Sequence, residues 1–452
     1  MSNITNAATA APSGNQSPSW VRWRILAILL AFSFMSWFNR VSMSVAYNNV
    51  LKDKYKITTE AIGWVNTMML IAYAVCMTPG GWFADRSGAK RSLVFMGFGS
   101  ALFVAVTGVG GLLAQRAALI LAWLLVIRSA MGVCTAPIYP SSGRVIAHWM
   151  PFHQRSWANG MITGAALLGI SSTFYGFGFI LDHVAWPAAF AITGAITAVF
   201  ALLWTWYGRN DPSEHRGVNQ GELRVIRSGA PPAAKKHGPG IGWRTLLRNR
   251  SLVLLTFSYA AVGYFEYMTY FWIEYYFVKV LEVGINQSRL YSTIVTLSMA
   301  VGMVLGGFLA DAFSRQWGVR RGRAAVVVGG LLVGAVLLVP AVLIENRIAI
   351  VVLLSLAGAG VGATEGPCWA TAIDMGGRRG VGTSAGIFNT GGNVGGQLAP
   401  ILTPIVSNAR SLGWAWGIGL GGIVCLFGAV LWIWIDPGQR TAEQVADAAA
   451  NE

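Results

Sequence analysis

Twelve long apolar stretches, approximately 24–47, 61–84, 92–114, 117–143, 157–181, 187–208, 250–278, 287–312, 323–344, 347–375, 381–406 and 412–435, constrain this chain more than any other feature. Crossing the roughly 30 Å hydrocarbon core of a bilayer takes about 20 apolar residues in a helix. Hydrocarbon offers no water to bond a free backbone group, so such stretches span as helices. The fold class predicted is therefore an all-α membrane protein of twelve transmembrane helices. Composition agrees, since 54% of the 452 residues are hydrophobic and 11% are charged, against roughly 25% charged in soluble domains. A secreted disulfide scaffold is excluded. Only four cysteines are present, and Cys76, Cys134, Cys368 and Cys425 each fall inside an apolar stretch, as small core hydrophobes do.

A net charge of +15 suggests a polyanion partner, but its distribution points to a membrane. With the amino terminus inside and the loops read alternately, 23 of the 33 cationic residues fall on the inner side and 8 on the outer, the remaining two being Arg40 and Arg128 inside spans. That is the positive-inside bias of a multi-pass protein of a bacterial-type cytoplasmic (inner) membrane, with both termini cytoplasmic. The partners expected are thus the lipid bilayer and no nucleic acid. Residues 1–19 are polar and uncharged and lack the basic start and short apolar core of a cleaved signal.

The chain divides six and six. Residues 209–249, containing RSGAPPAAKKHGPG, cannot span and read as a cytoplasmic linker. The units are a tail 1–23, a six-helix bundle 24–208, the linker 209–249, a second six-helix bundle 250–436 and a tail 437–452. GGWFAD at 80–85 recurs as GGFLAD at 306–311, and the glycine-rich fifth span around Gly160 recurs around Gly386, both at an offset of 226 residues (311 − 85 and 386 − 160). Two parallel six-span repeats related by a pseudo-two-fold are the layout of the major facilitator fold, with substrate held between them at mid-depth.

The loop GGWFADRSGAKR at 80–91 resembles the cytoplasmic signature of the major facilitator superfamily, a glycine, then Asp-Arg, then a glycine and a basic pair. Within that superfamily the chain resembles the anion:cation symporter family through FNRVSMSVA at 38–46, RSAMGVCTAPIYPSSGRVIAHWMP at 128–151 and AGIFNTGGNVGGQLAP at 385–400. The resemblance implies uptake of sugar acids, dicarboxylates, aromatic acids or phosphate-like anions, usually with protons. One departure stands out. Where many relatives carry an acid directly before the first-span arginine and another seven residues after the fourth-span arginine, this chain has Asn39 and Thr135.

The residues themselves point to an anion site. A charge near the bilayer centre costs roughly 2.5–3.5 kcal/mol, so it persists where it faces a cavity or a partner. Arg40 lies deep in the first span and Arg128 deep in the fourth, and two guanidiniums suit a carboxylate. Thr135 and Tyr139, seven and eleven residues after Arg128, return to its azimuth within about 20°. Ser36, Ser44 and Tyr47 make a similar stripe beside Arg40. In the second half, Tyr264, Glu266, Tyr267 and Tyr270 cluster in the seventh span, EGPCWATAID at 365–374 interrupts the tenth, and Asn389, Asn393 and Gln397 share one face of the eleventh. The substrate-binding candidates are Arg40, Arg128, Tyr47, Thr135, Tyr139, Tyr270, Asn389 and Asn393. Each has a plainer reading: the arginines pair with helix-end carbonyls or with Glu266, Glu365 or Asp374, and the tyrosines and asparagines join helices.

With Asn39 and Thr135 neutral, the deep acids left are Glu266 and Glu365, which are the expected proton carriers. Asp85, with its copy Asp311, is expected to latch the cytoplasmic side, with Arg86 and Arg144 as further gating residues. No phosphate loop, metal-ligand cluster or nucleophile with its base is present, and the five histidines sit in loops or at helix ends, so no enzyme, no metal site and no cofactor is expected. The function expected is a monomeric secondary active transporter importing a small organic anion by alternating access with proton symport. An uncoupled facilitator or anion exchanger on the same fold is the alternative.

Overall fold

The structure, a computed structural model, describes residues 16–113, 116–229, 242–377, 379–408 and 413–436. The expected tails up to residue 15 and from residue 437, and the linker segment 230–241, lie outside the described residues. The first bundle is built from α1 (Val21–Ala46), α2 (Thr59–Ser87), α3 (Ala89–Leu113), α4 (Ala117–Thr135), α5 (Ile138–Trp149), α6 (Arg155–His183) and α7 (Trp186–Tyr207). A short helix α8 (Gln220–Arg227) follows in the linker. The second bundle is built from α9 (Arg250–Tyr275), α10 (Ile285–Trp317), α11 (Val319–Leu343), α12 (Arg347–Gly362), α13 (Glu365–Met375), α14 (Val381–Asn408) and α15 (Trp414–Leu431).

Because α4 runs into α5 and α12 into α13, the described residues form twelve columns, six in each half. Ten of them are long and apolar enough to cross a membrane by length and composition. The other two, α9 and α14, are 26 and 28 residues long. Tyrosines and Glu266 dilute the first, and asparagines, glycines and Gln397 dilute the second. The outer surface of the bundles is apolar, with Leu102, Val126, Leu202, Val336 and Ile423 all exposed. Such a belt is what lipid covers.

Sequence chemistry accounts for the ends and breaks. Thr58, Asn249 and Asn346 accept backbone N–H bonds at the starts of α2, α9 and α12. Gly88 and Gly318, at φ 85° and 81°, turn the chain between α2 and α3 and between α10 and α11 in a single residue. The fourth span breaks at Ala136 and Pro137, since proline has no N–H to continue the ladder. The tenth breaks at Ala363 and Thr364, within one residue of the 226-residue repeat (363 − 136 = 227). The sequence places that interruption after Glu365. In the structure Glu365 opens α13, and Gly366 and Pro367 fall in its first turn, where a missing N–H is tolerated.

The halves meet along two repeat-related seams. A Cβ on Gly81 of α2 would stand 2.1 Å from the Gly382 carbonyl of α14, and one on Gly160 of α6 would stand 2.1 Å from the Met303 carbonyl of α10. Only glycine permits backbones this close. Linker helix α8 docks on the first half, where buried Glu222 accepts bonds from the Trp20 and Arg22 amides at 3.0 and 3.2 Å and pairs with Arg22 at 3.0 Å. The end of the bundle bearing α8 is called the linker end below. Cys134, Cys368 and Cys425 are buried and Cys76 is half-buried, all of them free thiols.

Candidate functional site

Between the halves lies a cavity with about 570 Å³ of empty space, open solvent included. Its walls draw on both bundles: Trp37 of α1, Tyr73 of α2, Tyr139 of α5, and across from them Tyr259, Glu266, Tyr267 and Tyr270 of α9, Glu365 and Trp369 of α13, and Asn389 and Asn393 of α14. The two polar columns thus turn their diluting residues inward. That is the location the low hydropathy of α9 and α14 demands.

Arg40 is 5% exposed and packs its guanidinium against the wall, with its central carbon 3.8 Å from the Tyr73 ring centre and 4.8 Å from that of Trp37. Both terminal nitrogens are buried and hydrogen-bond nothing. A buried guanidinium is costly unless it is paired or hydrogen-bonded. The Trp37 indole donates to the Tyr139 hydroxyl at 2.6 Å, with Ser33 Oγ 3.4 Å from the same oxygen, so Tyr139 is held by its neighbours. Trp37 lies three residues before Arg40, on the same helix face, a spacing that marks it in the sequence. Tyr73 carries no such signal.

Arg128 is fully buried but does not reach the cavity wall. It donates to the carbonyls of Asn39 at 3.0 Å and Arg40 at 2.8 Å, which fixes the backbone from which the Arg40 side chain springs. Thr135 bonds back to the Met131 and Gly132 carbonyls of its own helix, and Tyr47 donates to the Ile57 carbonyl away from the cavity. The structure therefore puts Tyr139 in the lining, stacks Arg40 on the lining residues Tyr73 and Trp37, and leaves Arg128, Thr135 and Tyr47 away from the lining. Asn39 is turned toward α7, where it donates to Thr197 at 2.9 Å.

The opposite wall is acidic. Glu365 is 2% exposed; its Oε2 accepts from the Tyr259 hydroxyl at 3.2 Å and the Trp369 indole at 3.1 Å, while its Oε1 bonds nothing. Glu266 also has a buried oxygen without a partner. Among the described residues neither glutamate forms an ion pair. Asn393 donates to the Asn389 carbonyl at 2.9 Å and accepts from Tyr267 at 3.5 Å, which leaves the Asn389 amide nitrogen unbonded.

At the linker end the expected gate residues form two related caps. Asp85 accepts from the Gly382 and Thr383 amides at 2.8 and 2.7 Å, from the Thr383 hydroxyl at 2.8 Å, and from Arg144 at 2.7 Å. Asp311 accepts from the Ser156 and Trp157 amides at 3.3 and 2.9 Å. Each acid thus leaves its own half to cap the first turn of a helix in the other, where the helix dipole favours a negative charge. Arg86 lies 5.3 Å over the Trp82 ring and is exposed. A third link escaped sequence reasoning: Asp374 of α13 pairs with Arg155 of α6 across the seam and with Arg323 of α11 at 2.7 Å. Asp374 stood out only as a partner for the mid-span arginines. Among the described residues no group of His, Cys, Asp and Glu is placed to hold a metal.

The chain belongs to the Major Facilitator Superfamily, whose family model matches residues 26–400. It is 29% identical to a probable sulfoacetate transporter of Cupriavidus necator over 84% of this chain and 86% of the relative. It is 27% identical to a probable galactarate/D-glucarate transporter of Bacillus subtilis over 89% of both chains, and 24% identical to a D-galactonate transporter of Escherichia coli over 93% and 97%. In solved structures the chain superposes on a double-tryptophan mutant of XylE with a TM-score of 0.72, at 16% identity over 96% of this chain and 100% of that one. On FucP in the outward conformation the TM-score is 0.66, at 14% identity over 92% and 99%. The protein is a multi-pass membrane transporter rather than an enzyme, and its fold is the twelve-helix arrangement expected from the sequence.

Proposed function

We propose that this protein is a secondary active transporter that imports a small organic carboxylate by alternating access and couples it to protons. The observation that carries this reading is Arg40, a buried guanidinium stacked on Tyr73 and Trp37 of the inter-half cavity wall with both terminal nitrogens unbonded. A carboxylate entering the cavity would supply the paired acceptors that this fork lacks. The substrate binders on this reading are Arg40, Tyr139, Tyr270, Asn389 and Asn393, and Arg128 acts as a positioning residue through its two bonds to the α1 backbone.

Coupling rests on the facing glutamates. An ionised carboxylate buried without a cation is costly, and Glu266 and Glu365 both line the cavity without an ion pair. A proton on one of them would let the anion settle on Arg40 without an opposing charge, and would leave when the cavity is wetted from the other side. Alternating access follows from the caps. Among the described residues the inter-half ion pair and carboxylate bonds all lie at the linker end, so opening there requires releasing Asp85, Asp311 and Asp374 from their partners in the other half. The loop charge bias supports a cytoplasmic linker end in a bacterial inner membrane.

The test is uptake into proteoliposomes. With an imposed inward proton gradient, the unmodified protein should concentrate a labelled organic acid, and a protonophore should abolish the concentration while leaving exchange intact. Equilibration without concentration under any ion gradient would assign the fold to a facilitator instead.

A further inference from the structure

We infer that the preferred substrate is a hydroxylated aromatic monocarboxylate, rather than a polyol sugar acid or a dicarboxylate. This rests on the reading of the cavity as an organic-anion site and narrows it from three features of the walls.

The first is the number of available cations. Of the two mid-span arginines, Arg128 is occupied by the Asn39 and Arg40 carbonyls, and the lining itself holds no arginine, lysine or histidine, so the cation in contact with it is Arg40, stacked on Tyr73 and Trp37. Arg40 therefore provides one carboxylate seat. A second carboxylate on the same ligand would point at the wall of Glu266 and Glu365, whose unbonded oxygens repel a negative charge and attract a donor.

The second is the chemistry of the surface. Seven of the lining residues are Trp or Tyr, three from the first half and four from the second. The Tyr139 and Trp369 rings meet across the seam at 5.5 Å between centres, and Tyr267 and Tyr270 stand 5.9 Å apart on α9. Arg40 itself is stacked on Tyr73, so a carboxylate bound to its fork emerges between rings. Flat aromatic faces favour a planar apolar body, through offset stacking and area burial.

The third is the placement of the buried hydrogen-bond partners. The Tyr139 hydroxyl is engaged by Trp37, that of Tyr259 by Glu365 and that of Tyr267 by Asn393. The fully buried lining atoms left unbonded are the Asn389 amide nitrogen and one oxygen each of Glu266 and Glu365. One hydroxyl placed across a ring from the carboxylate can donate to a glutamate and accept from Asn389, and a site built around that bond discriminates against the analogue without it.

The experiment is equilibrium binding to the purified full-length protein, read by tryptophan fluorescence and confirmed by calorimetry. The ligands are 4-hydroxybenzoate, 4-hydroxycinnamate, benzoate, terephthalate, D-galactonate and D-glucarate. A 4-hydroxy aromatic acid should bind at least tenfold more tightly than benzoate and than terephthalate, and at least thirtyfold more tightly than either sugar acid. Tyr270→Leu should weaken it at least tenfold, and Tyr270→Phe should lose less, with thermal melts confirming that both variants fold. If D-galactonate or D-glucarate binds most tightly and Arg40→Ala removes that binding, the aromatic assignment is overturned and the organic-anion reading stands. If no acid binds, or binding is indifferent to Arg40→Ala, the organic-anion reading itself fails.

Discussion

The two halves of this transporter are alike at the linker end and opposite at mid-depth. At the linker end each half sends an aspartate, Asp85 or Asp311, onto the first turn of a helix in the other half. Around the cavity the first half contributes the cation Arg40, stacked on the lining Tyr73, and the second the lining acids Glu266 and Glu365. The repeat thus retained the parts that hold the halves together and diverged in the parts that meet the substrate. A symmetric latch lets two bundles rock about one axis, whereas an anion and a proton need seats of opposite chemistry.

Arg40→Ala tests the mid-depth contrast and should have the largest effect. Removing the charged partner from a buried pair costs about 2–5 kcal/mol, so affinity for the transported acid should fall about thirtyfold or more. Arg40→Lys should recover only part of it, since an ammonium lacks the planar fork. Near-normal affinity in Arg40→Ala would dissolve the contrast.

Arg128→Ala separates holding the site from forming it. Leaving the Asn39 and Arg40 carbonyls unbonded in a buried position costs about 1–3 kcal/mol, so the variant should melt earlier and should bind the acid more weakly through the displaced α1 backbone. A normal melt with binding abolished would move Arg128 from positioning residue to ligand.

The linker end is alike but not equal, which gives a subtler test. Asp85 accepts from two amides, a hydroxyl and Arg144, while Asp311 accepts from two amides. Charge at a helix N-terminus contributes typically about 0.3–1 kcal/mol, and hydrogen bonds to charged groups contribute about 1.5–3 kcal/mol. Asp85→Asn should therefore shift the distance distribution between spin labels on the linker-end loops of the two halves toward open more than Asp311→Asn does. An equal or greater shift in Asp311→Asn would refute the inequality. Smallest of all is Tyr47→Phe: its hydroxyl bonds near the far end of α1, away from the cavity, so uptake should stay within about twofold of normal.

The fold was legible in the sequence because its two strongest signals, apolar length and the 226-residue repeat, are one-dimensional. Asp85 with Asp311 announced a latch on the cytoplasmic side, though not that each acid makes it by capping a helix of the other half. The site was legible in part. Depth alone marked Arg40 and Arg128 as equals, and only the packing of α4 against α1 shows that one is spent on carbonyls and the other is free. Helical azimuth put Thr135 beside Arg128, but the break at Pro137 ends that helix and turns Tyr139 to the cavity on α5. Tyr73, Tyr259 and Trp369 were invisible because aromatic residues in apolar spans carry no pattern that separates a cavity wall from a core.

The central claim is that the first half seats the anion and the second half carries the proton, and one measurement tests it most directly. Glu365→Gln and Glu266→Gln proteoliposomes are compared with the unmodified protein in two assays, accumulation of labelled acid under an imposed pH gradient and exchange of labelled for unlabelled acid with no gradient. The account predicts that at least one variant loses accumulation while its exchange persists, since the Arg40 seat remains and only the proton carrier is gone. Undiminished accumulation in both variants, and in the double variant, would contradict it.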